Sequence, residues 1–509
     1  MEYDKAASQM RERLNQVSSS FCLAKWLQCS IYLPQGMTQS CYHPPTHVIP
    51  LEELKLSASA LHNTKHKKEE RRKMLNGERP IGCSYCWRME DAEGSHLSDR
   101  HYRSSEWWAE PQFEKVKNLP WTANIEPPYV EVNFNQACNF KCMYCSPHLS
   151  TAWEEEIRKF GPYQLTNGAH NDIAALESRG MMPLKVARAD NPYVEAFWEW
   201  WPTIYRKLRV FRMTGGEPLM DKNTFKVLEY VNENPHGQLE LSITSNMCPP
   251  DQKLFDRFLD LVKQLEEVRV WEDPDNFNEH SGNNWYVAPG MKHFTLFVSV
   301  DGVGRQAEYM RTGLDYDRML SNVRRFLSET RHTSVSFINT FNLLSLPSLQ
   351  PFLDMVMKLR QEFGGRAQTE HEIFPPSHNG YDHPSYKVKK FQRVWFDIPI
   401  LRYPPWFSIQ NAGPWGVDIM HKAIKFMEAN VQGDDYLETF EGFKPYEILK
   451  VKRDLAIMEE RLLSAQATLN KIDFYKFITE YDDRRSLNFR DTFPELSWYM
   501  IECMKEMRK

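Results

Sequence analysis

The most restrictive feature of this chain is a loop, Cys138-Asn-Phe-Lys-Cys142-Met-Tyr-Cys145, placed directly after the apolar run YVEVNF at 129–134. That run opens a long alternating region. Strands are expected at 129–134, 210–214, 239–245, 294–300, 333–339 and 370–374, with amphipathic helices at 223–234, 253–265, 316–327 and 348–360 between them. Such alternation predicts an α/β fold with a parallel sheet and crossover helices. Six units suit an open, partial TIM-like (β/α)6 barrel better than a closed eightfold one, and the loop then sits at the C-terminal end of a barrel strand, where active sites are built. Two insertions interrupt the pattern: 149–204, Trp-rich and expected to be helical, and 272–292, an irregular loop. The expected division is 1–120, 121–385 for the barrel, and 386–509 as a mainly helical C-terminal region, most evidently at 446–471.

Ten cysteines are present, and seven of them fall into groups with ligand-like spacing. In a chain of 509 residues whose N-terminus is too polar for a signal peptide, clustered cysteines point to metal or redox chemistry rather than disulfides. Three thiolates can bind three irons of a [4Fe–4S] cluster and leave the fourth iron open to an outside ligand. The competing reading is a structural zinc ion that borrows a fourth ligand such as His148.

The CxxxCxxC spacing with an aromatic residue before the last cysteine resembles the radical S-adenosylmethionine (SAM) superfamily. The resemblance implies that Cys138, Cys142 and Cys145 hold a [4Fe–4S] cluster. Its open iron is chelated by SAM, and one-electron reduction cleaves the sulfonium to a 5′-deoxyadenosyl radical. It also implies an adenine contact for Tyr144. Gly215-Gly216-Glu217-Pro218 follows the second strand and matches the family motif for the SAM amino group. Two glycines allow close backbone approach, and the carboxylate accepts from an ammonium. By the same resemblance Ser245 and Asn246 lie near the SAM ribose, while Ser299, Asp301 and Arg311 lie near its carboxylate, which an arginine fork suits. Asn339 and Asn342 end the following strand and carry a weaker signal of the same kind.

A second group precedes the barrel: Cys22, Cys41 and the close pair Cys83-Ser-Tyr-Cys86. The spacing C-x13-G-x4-C followed by CxxC is similar to SPASM and twitch modules, which carry auxiliary clusters, and the chain resembles phage and bacterial members of unassigned activity. Two departures stand out. The module comes before the barrel rather than after it, and beyond Cys145 only Cys248 and Cys503 remain. One auxiliary [4Fe–4S] cluster, saturated by four thiolates and suited to electron transfer, is therefore implied; zinc at the same four positions is the rival. Cys29 and Cys503 read as core thiols, and Cys248 follows Asn246 closely enough to approach the SAM site. Trp87, Glu90, His96, Ser98 and Arg100 either fix the module or line a substrate face.

A formal net charge of −5 provides no global basic field for nucleic acid, and the locally basic 64–73 interleaves glutamates and reads as a solvated helix. No apolar run is long enough to span a membrane, so the cytoplasm is the default compartment. The expected activity is hydrogen abstraction from a peptide, protein or small-molecule substrate, with an external electron donor such as flavodoxin or ferredoxin. RNA or nucleotide modification by the same chemistry, and a non-catalytic zinc protein for protein or RNA binding, are the alternatives.

Overall fold

The computed structural model describes residues 2–92, 96–184, 190–266, 268–271, 285–288, 290–331, 333–364, 367–368, 389–390, 392–432, 441–460 and 463–509. The chain divides into two compact units. The first comprises 1–136, 180–215 and 238–242, and the second 137–179, 216–237 and 243–509.

The first unit holds strands β1 (Gln28–Tyr32), β2 (Met37–Gln39), β3 (His47–Val48), β4 (Tyr129–Asn133) and β5 (Val210–Thr214). Their order is β3-β2-β1-β4-β5. β1, β4 and β5 are parallel, with Ser30, Glu131 and Arg212 on one rung, while β2 and β3 run antiparallel. Side chains alternate across a pleated strand. On one face Cys29, Ile31, Val130, Val132, Phe211 and Met213 are buried; the other carries Ser30, Glu131 and Arg212. The expected strands at 129–134 and 210–214 are present. β1 was not anticipated as a parallel neighbour of β4, because five residues with three polar side chains (QCSIY) carry little hydrophobic signal.

Strand β6 (His236–Ser245) contributes its middle to the first unit and its ends to the second. The second unit also contains β7 (Met291–Ser299), β8 (Thr333–Ile338) and β9 (Val394–Asp397), parallel and in that order, with Ser299, Ile338 and Asp397 on one rung. The fold is α/β with a large, mostly parallel sheet. The expected sixth strand at 370–374 lies outside the described residues, and β9 is the strand next to β8. Helices Lys222–Glu233, Gln252–Leu265, Tyr316–Glu329 and Leu349–Phe363 match the expected crossovers; all but Leu349–Phe363 start behind a side-chain N-cap, Asp221, Asp251 or Asp315.

Among the described residues of the first insertion, helices form at Thr151–Phe160, Ile173–Ser178 and Pro192–Tyr205. The insertion also contains a hairpin, Tyr163–Leu165 with Gly168–His170, whose short strands lie below the length that periodicity resolves. Of the second insertion, 272–284 and 289 lie outside the described residues, and Trp285–Ala288 pairs with Val268–Trp271. The C-terminal part is helical as expected, with Gly413–Ala429, Pro445–Glu459, Ser464–Arg485 and Ser497–Arg508. A buried bidentate ion pair, Arg360 Nη2 to Glu447 Oε1 at 2.7 Å and Nη1 to Oε2 at 3.0 Å, joins Leu349–Phe363 to Pro445–Glu459. The basic segment forms helix Lys65–Leu75, but it is not merely solvated, since Lys67 and Arg71 are completely buried. Among the described residues no helix is long and apolar enough to cross a membrane.

Candidate functional site

The three-cysteine loop belongs to the second unit, and every turn of it is tied down by backbone or side-chain bonds. Lys141–Cys142 pairs antiparallel with Arg311–Thr312, placing Cys142 opposite Arg311. The Cys145 amide donates to the Cys142 carbonyl at 2.9 Å. Ser150 caps helix Thr151–Phe160 and donates to the Phe140 carbonyl at 2.8 Å. Thr151 Oγ1 bonds both the amide and the carbonyl of Cys138, and Trp153 Nε1 donates to the Cys142 carbonyl at 2.9 Å. The sulfurs join this net: Cys138 Sγ accepts from the Phe140 amide at 3.4 Å, and Cys145 Sγ lies 3.9 Å from the Ser146 carbonyl. Burial pushes the Cys138 thiol up to about 12 and raises Cys142 and Cys145 as well, with the neighbouring thiols adding to the effect on Cys138 and Cys145. Neutral, closely spaced thiols of this kind ionise when iron replaces their protons.

Arg311, Asp301 and Tyr144 form a buried knot beside this loop. Arg311 Nε donates to Asp301 Oδ2 at 2.8 Å and Nη2 to Oδ1 at 3.1 Å, while Nη1 reaches the Cys142 sulfur at 3.4 Å. The Tyr144 hydroxyl donates to Asp301 Oδ2 at 2.8 Å and accepts from Arg311 Nη2. The Thr340 amide adds a further bond to Asp301 Oδ1 at 2.9 Å. Of the residues expected at the SAM carboxylate, Asp301 therefore acts as the internal counter-ion that fixes Arg311 and Tyr144. Ser299 ends β7 half-buried.

Gly215 has φ +132°, and a Cβ there would lie 2.5 Å from Asn133 Oδ1 and 2.9 Å from the Asn135 carbonyl. Only glycine fits that approach. Two residues on, the Glu217 amide donates to the Ala137 carbonyl at 2.7 Å, while Pro218 is buried at the start of a helical turn after half-buried Gly216. Glu217 Oε1 accepts from Ser245 Oγ at 2.8 Å and the Leu219 amide at 3.0 Å, and Oε2 from the Asn246 amide at 2.7 Å. Burial raises its carboxyl to about 7 against those three bonds. Asn246 Nδ2 donates to Asn139 Oδ1 at 3.0 Å, and Asn139 Nδ2 to the Cys248 carbonyl at 2.8 Å. The cysteine loop, the GGEP turn and the Ser245–Asn246 turn are consequently one hydrogen-bonded network. Asn342 caps the turn Leu343–Ser345, whereas both side-chain polar atoms of completely buried Asn339 have no hydrogen-bond partner among the described residues.

The second cysteine group lies wholly within the first unit. Cys22, Cys41, Cys83 and Cys86 line one hollow, together with Lys25 and Arg100. Cys22 precedes the helical turn Ala24–Leu27, Cys41 follows β2, and the close pair straddles the start of helix Ser84–Asp91. Burial pushes Cys41 up to about 12 and raises the other three thiols. Arg100 grips Glu90 with two bonds, at 3.0 and 2.8 Å, and donates to the Phe21 carbonyl at 2.9 Å. Ser98 also donates to Glu90, at 2.6 Å. Glu90, Ser98 and Arg100 thus brace the hollow, and buried Trp87 bonds the Pro80 carbonyl. Cys29 and Cys503 are buried, as expected of core thiols, and the Cys248 sulfur donates to the Asp315 carbonyl at 3.2 Å.

Among the described residues no group of three or more His, Cys, Asp or Glu side chains forms a site for a single metal ion. A four-iron cluster makes a different demand, one thiolate per iron, while tetrahedral zinc draws all four ligands to one atom. Three half-buried thiols on one loop, and four buried or half-buried thiols around one hollow, are donor sets that could hold clusters.

No family model matches the chain, and no curated protein matches it. Among solved structures it is weakly similar to SuiB of Streptococcus suis. That structure aligns at 11 % identity over 57 % of this chain and 53 % of SuiB, with TM-score 0.27. SuiB bound to S-adenosylmethionine aligns at 10 % identity over 76 % and 74 %, TM-score 0.28. SuiB bound to precursor peptide SuiA aligns at 10 % identity over 66 % and 60 %, TM-score 0.26. The chain spans about half the length of the first of these.

Proposed function

We propose that the chain is a radical SAM enzyme that takes hydrogen from a peptide, protein or small-molecule substrate and uses an auxiliary cluster for electron transfer. The observation that carries this reading is the three-thiol loop bonded to both the GGEP turn and the Arg311 strand. When bound, a [4Fe–4S] cluster supplies one electron and an open iron for reductive cleavage of SAM to a 5′-deoxyadenosyl radical. Cys138, Cys142 and Cys145 would hold three irons. Arg311 has one Nη1 hydrogen beyond its four bonds to Asp301, Tyr144 and Cys142 and would orient a carboxylate. Glu217 retains acceptor capacity on Oε2 for the SAM ammonium, and Ser245 and Asn246 hold that carboxylate in position. Tyr144 would present its ring to adenine, its hydroxyl being anchored.

In this reading the strand–helix units form the partial barrel at 121–385, preceded by a twitch-like module at 1–120 and followed by the helical region at 386–509. Cys22, Cys41, Cys83 and Cys86 hold the second cluster. The protein works in the cytoplasm with an external flavodoxin or ferredoxin. Anaerobic reconstitution tests the reading. About eight irons and eight sulfides per chain, with 5′-deoxyadenosine formed from SAM under dithionite, are expected. A colourless protein carrying only zinc overturns it.

A further inference from the structure

The hollow in the first unit contains a charge that thiol spacing does not require. Lys25, three residues after Cys22, is 2 % exposed and lines the hollow beside Cys22, Cys41, Cys83 and Cys86. On its other side Nζ donates to Glu70 Oε2 at 2.6 Å, and Glu70 is itself 13 % exposed. Burying an ammonium costs several kcal/mol unless it is well paired. Here the carboxylate partner is Glu70, and Cys41 and Cys83 line the same hollow. Behind it, Arg71 Nε donates to the Lys25 carbonyl at 3.4 Å. Lys67 and Arg71, both completely buried, bond only neutral groups or the Cys29 thiol. The hollow itself is lined by Lys25, Arg100 and Arg103 against a single carboxylate, Asp99, so its wall is rich in cations.

We propose that Lys25 sets the redox level of the centre held by Cys22, Cys41, Cys83 and Cys86, with Glu70 tempering its charge. The inference rests on the auxiliary-cluster reading above. A four-thiolate cluster gains a full negative charge on reduction, and its potential follows net charge, hydrogen bonds to sulfur and solvent exposure. A fixed cation in the low-dielectric wall beside the cluster favours the reduced form. A lysine serving only to pair Glu70 and pack the core would leave that equilibrium where it is. Lys25 is in this sense a positioning residue for electron transfer.

The test is an anaerobic redox titration of reconstituted full-length protein, followed by EPR and visible absorbance. Lys25→Met is expected to lower the reduced-to-oxidised ratio of the second cluster about tenfold at fixed potential, about 59 mV for one electron. Glu70→Gln is expected to shift it the opposite way, Lys25→Arg to restore it, and the cluster of the 138–145 loop to titrate unchanged in all three. Should Lys25→Met assemble poorly, the opposed shift in Glu70→Gln and the double variant Lys25→Met/Glu70→Gln still decide. A second cluster that titrates within twofold of wild type in every variant overturns the role of Lys25. Wild-type protein with one redox-active cluster, or with zinc at the four thiols, overturns the auxiliary-cluster reading itself, and the inference falls with it.

Discussion

The two cysteine groups set the same side chain in different surroundings. In the second unit, three thiols sit on one short loop whose neighbours, Glu217, Ser245, Asn246 and Arg311, are polar strand ends bonded into a network with hydrogen-bonding capacity in reserve. In the first unit, four thiols drawn from three segments line a hollow braced by buried ion pairs, Lys25 with Glu70 and Arg100 with Glu90. An odd ligand count with polar neighbours suits a centre that must accept a small molecule. An even count within buried, cation-rich walls suits one that only exchanges electrons.

The comparison can be broken most sharply at the ligands. Replacing Cys138, Cys142 or Cys145 by Ala should reduce 5′-deoxyadenosine formation to the level of iron-free protein, whereas Cys83→Ala should keep SAM cleavage and lose substrate turnover. Equal loss of both activities in Cys83→Ala would make the first-unit group a structural element instead. Product analysis by liquid chromatography, with and without substrate, reads both outcomes.

A smaller effect is expected at the Arg311 knot. Asp301→Ala strands a buried guanidinium, so a loss of about 3–5 kcal/mol in unfolding free energy is expected from urea titration. An unchanged midpoint would mean that Arg311 finds another partner. The mildest probe is pH. Because the carboxyl of Glu217 rises to about 7 on folding from an ordinary value near 4.5, the folded state binds the extra proton between those values. Stability should be greatest below about 4.5 as far as this group is concerned, and should decline as pH rises towards 7, by roughly 3 kcal/mol in all. Denaturation midpoints across pH 5–8 measure the slope, and Glu217→Gln should flatten it.

Much of the architecture was legible in the sequence because its causes are local. Four crossover helices and five strands announced themselves by period, and the GGEP turn by its glycines, one of which occupies a conformation that other residues rarely adopt. What escaped was decided at a distance. β1 pairs with a strand about a hundred residues further on and has a mixed composition, so no short window reveals it. The KHKKEERRK segment reads as a solvent-facing helix, yet its Lys67, Glu70 and Arg71 turn inward against β1 and the cysteine hollow.

By itself, then, the sequence determined the ligand types, their spacing and the alternation that places a three-thiol loop behind a strand, since all of these depend on neighbours along the chain. Only the tertiary structure decided that Asp301 serves Arg311 and Tyr144, that Glu217 is gripped by Ser245 and Asn246, and that Lys25 lines the cysteine hollow. The physical reason is desolvation. A charged side chain in water is indifferent to distant residues, but once buried it must be paired, and the partner is whichever segment the fold delivers.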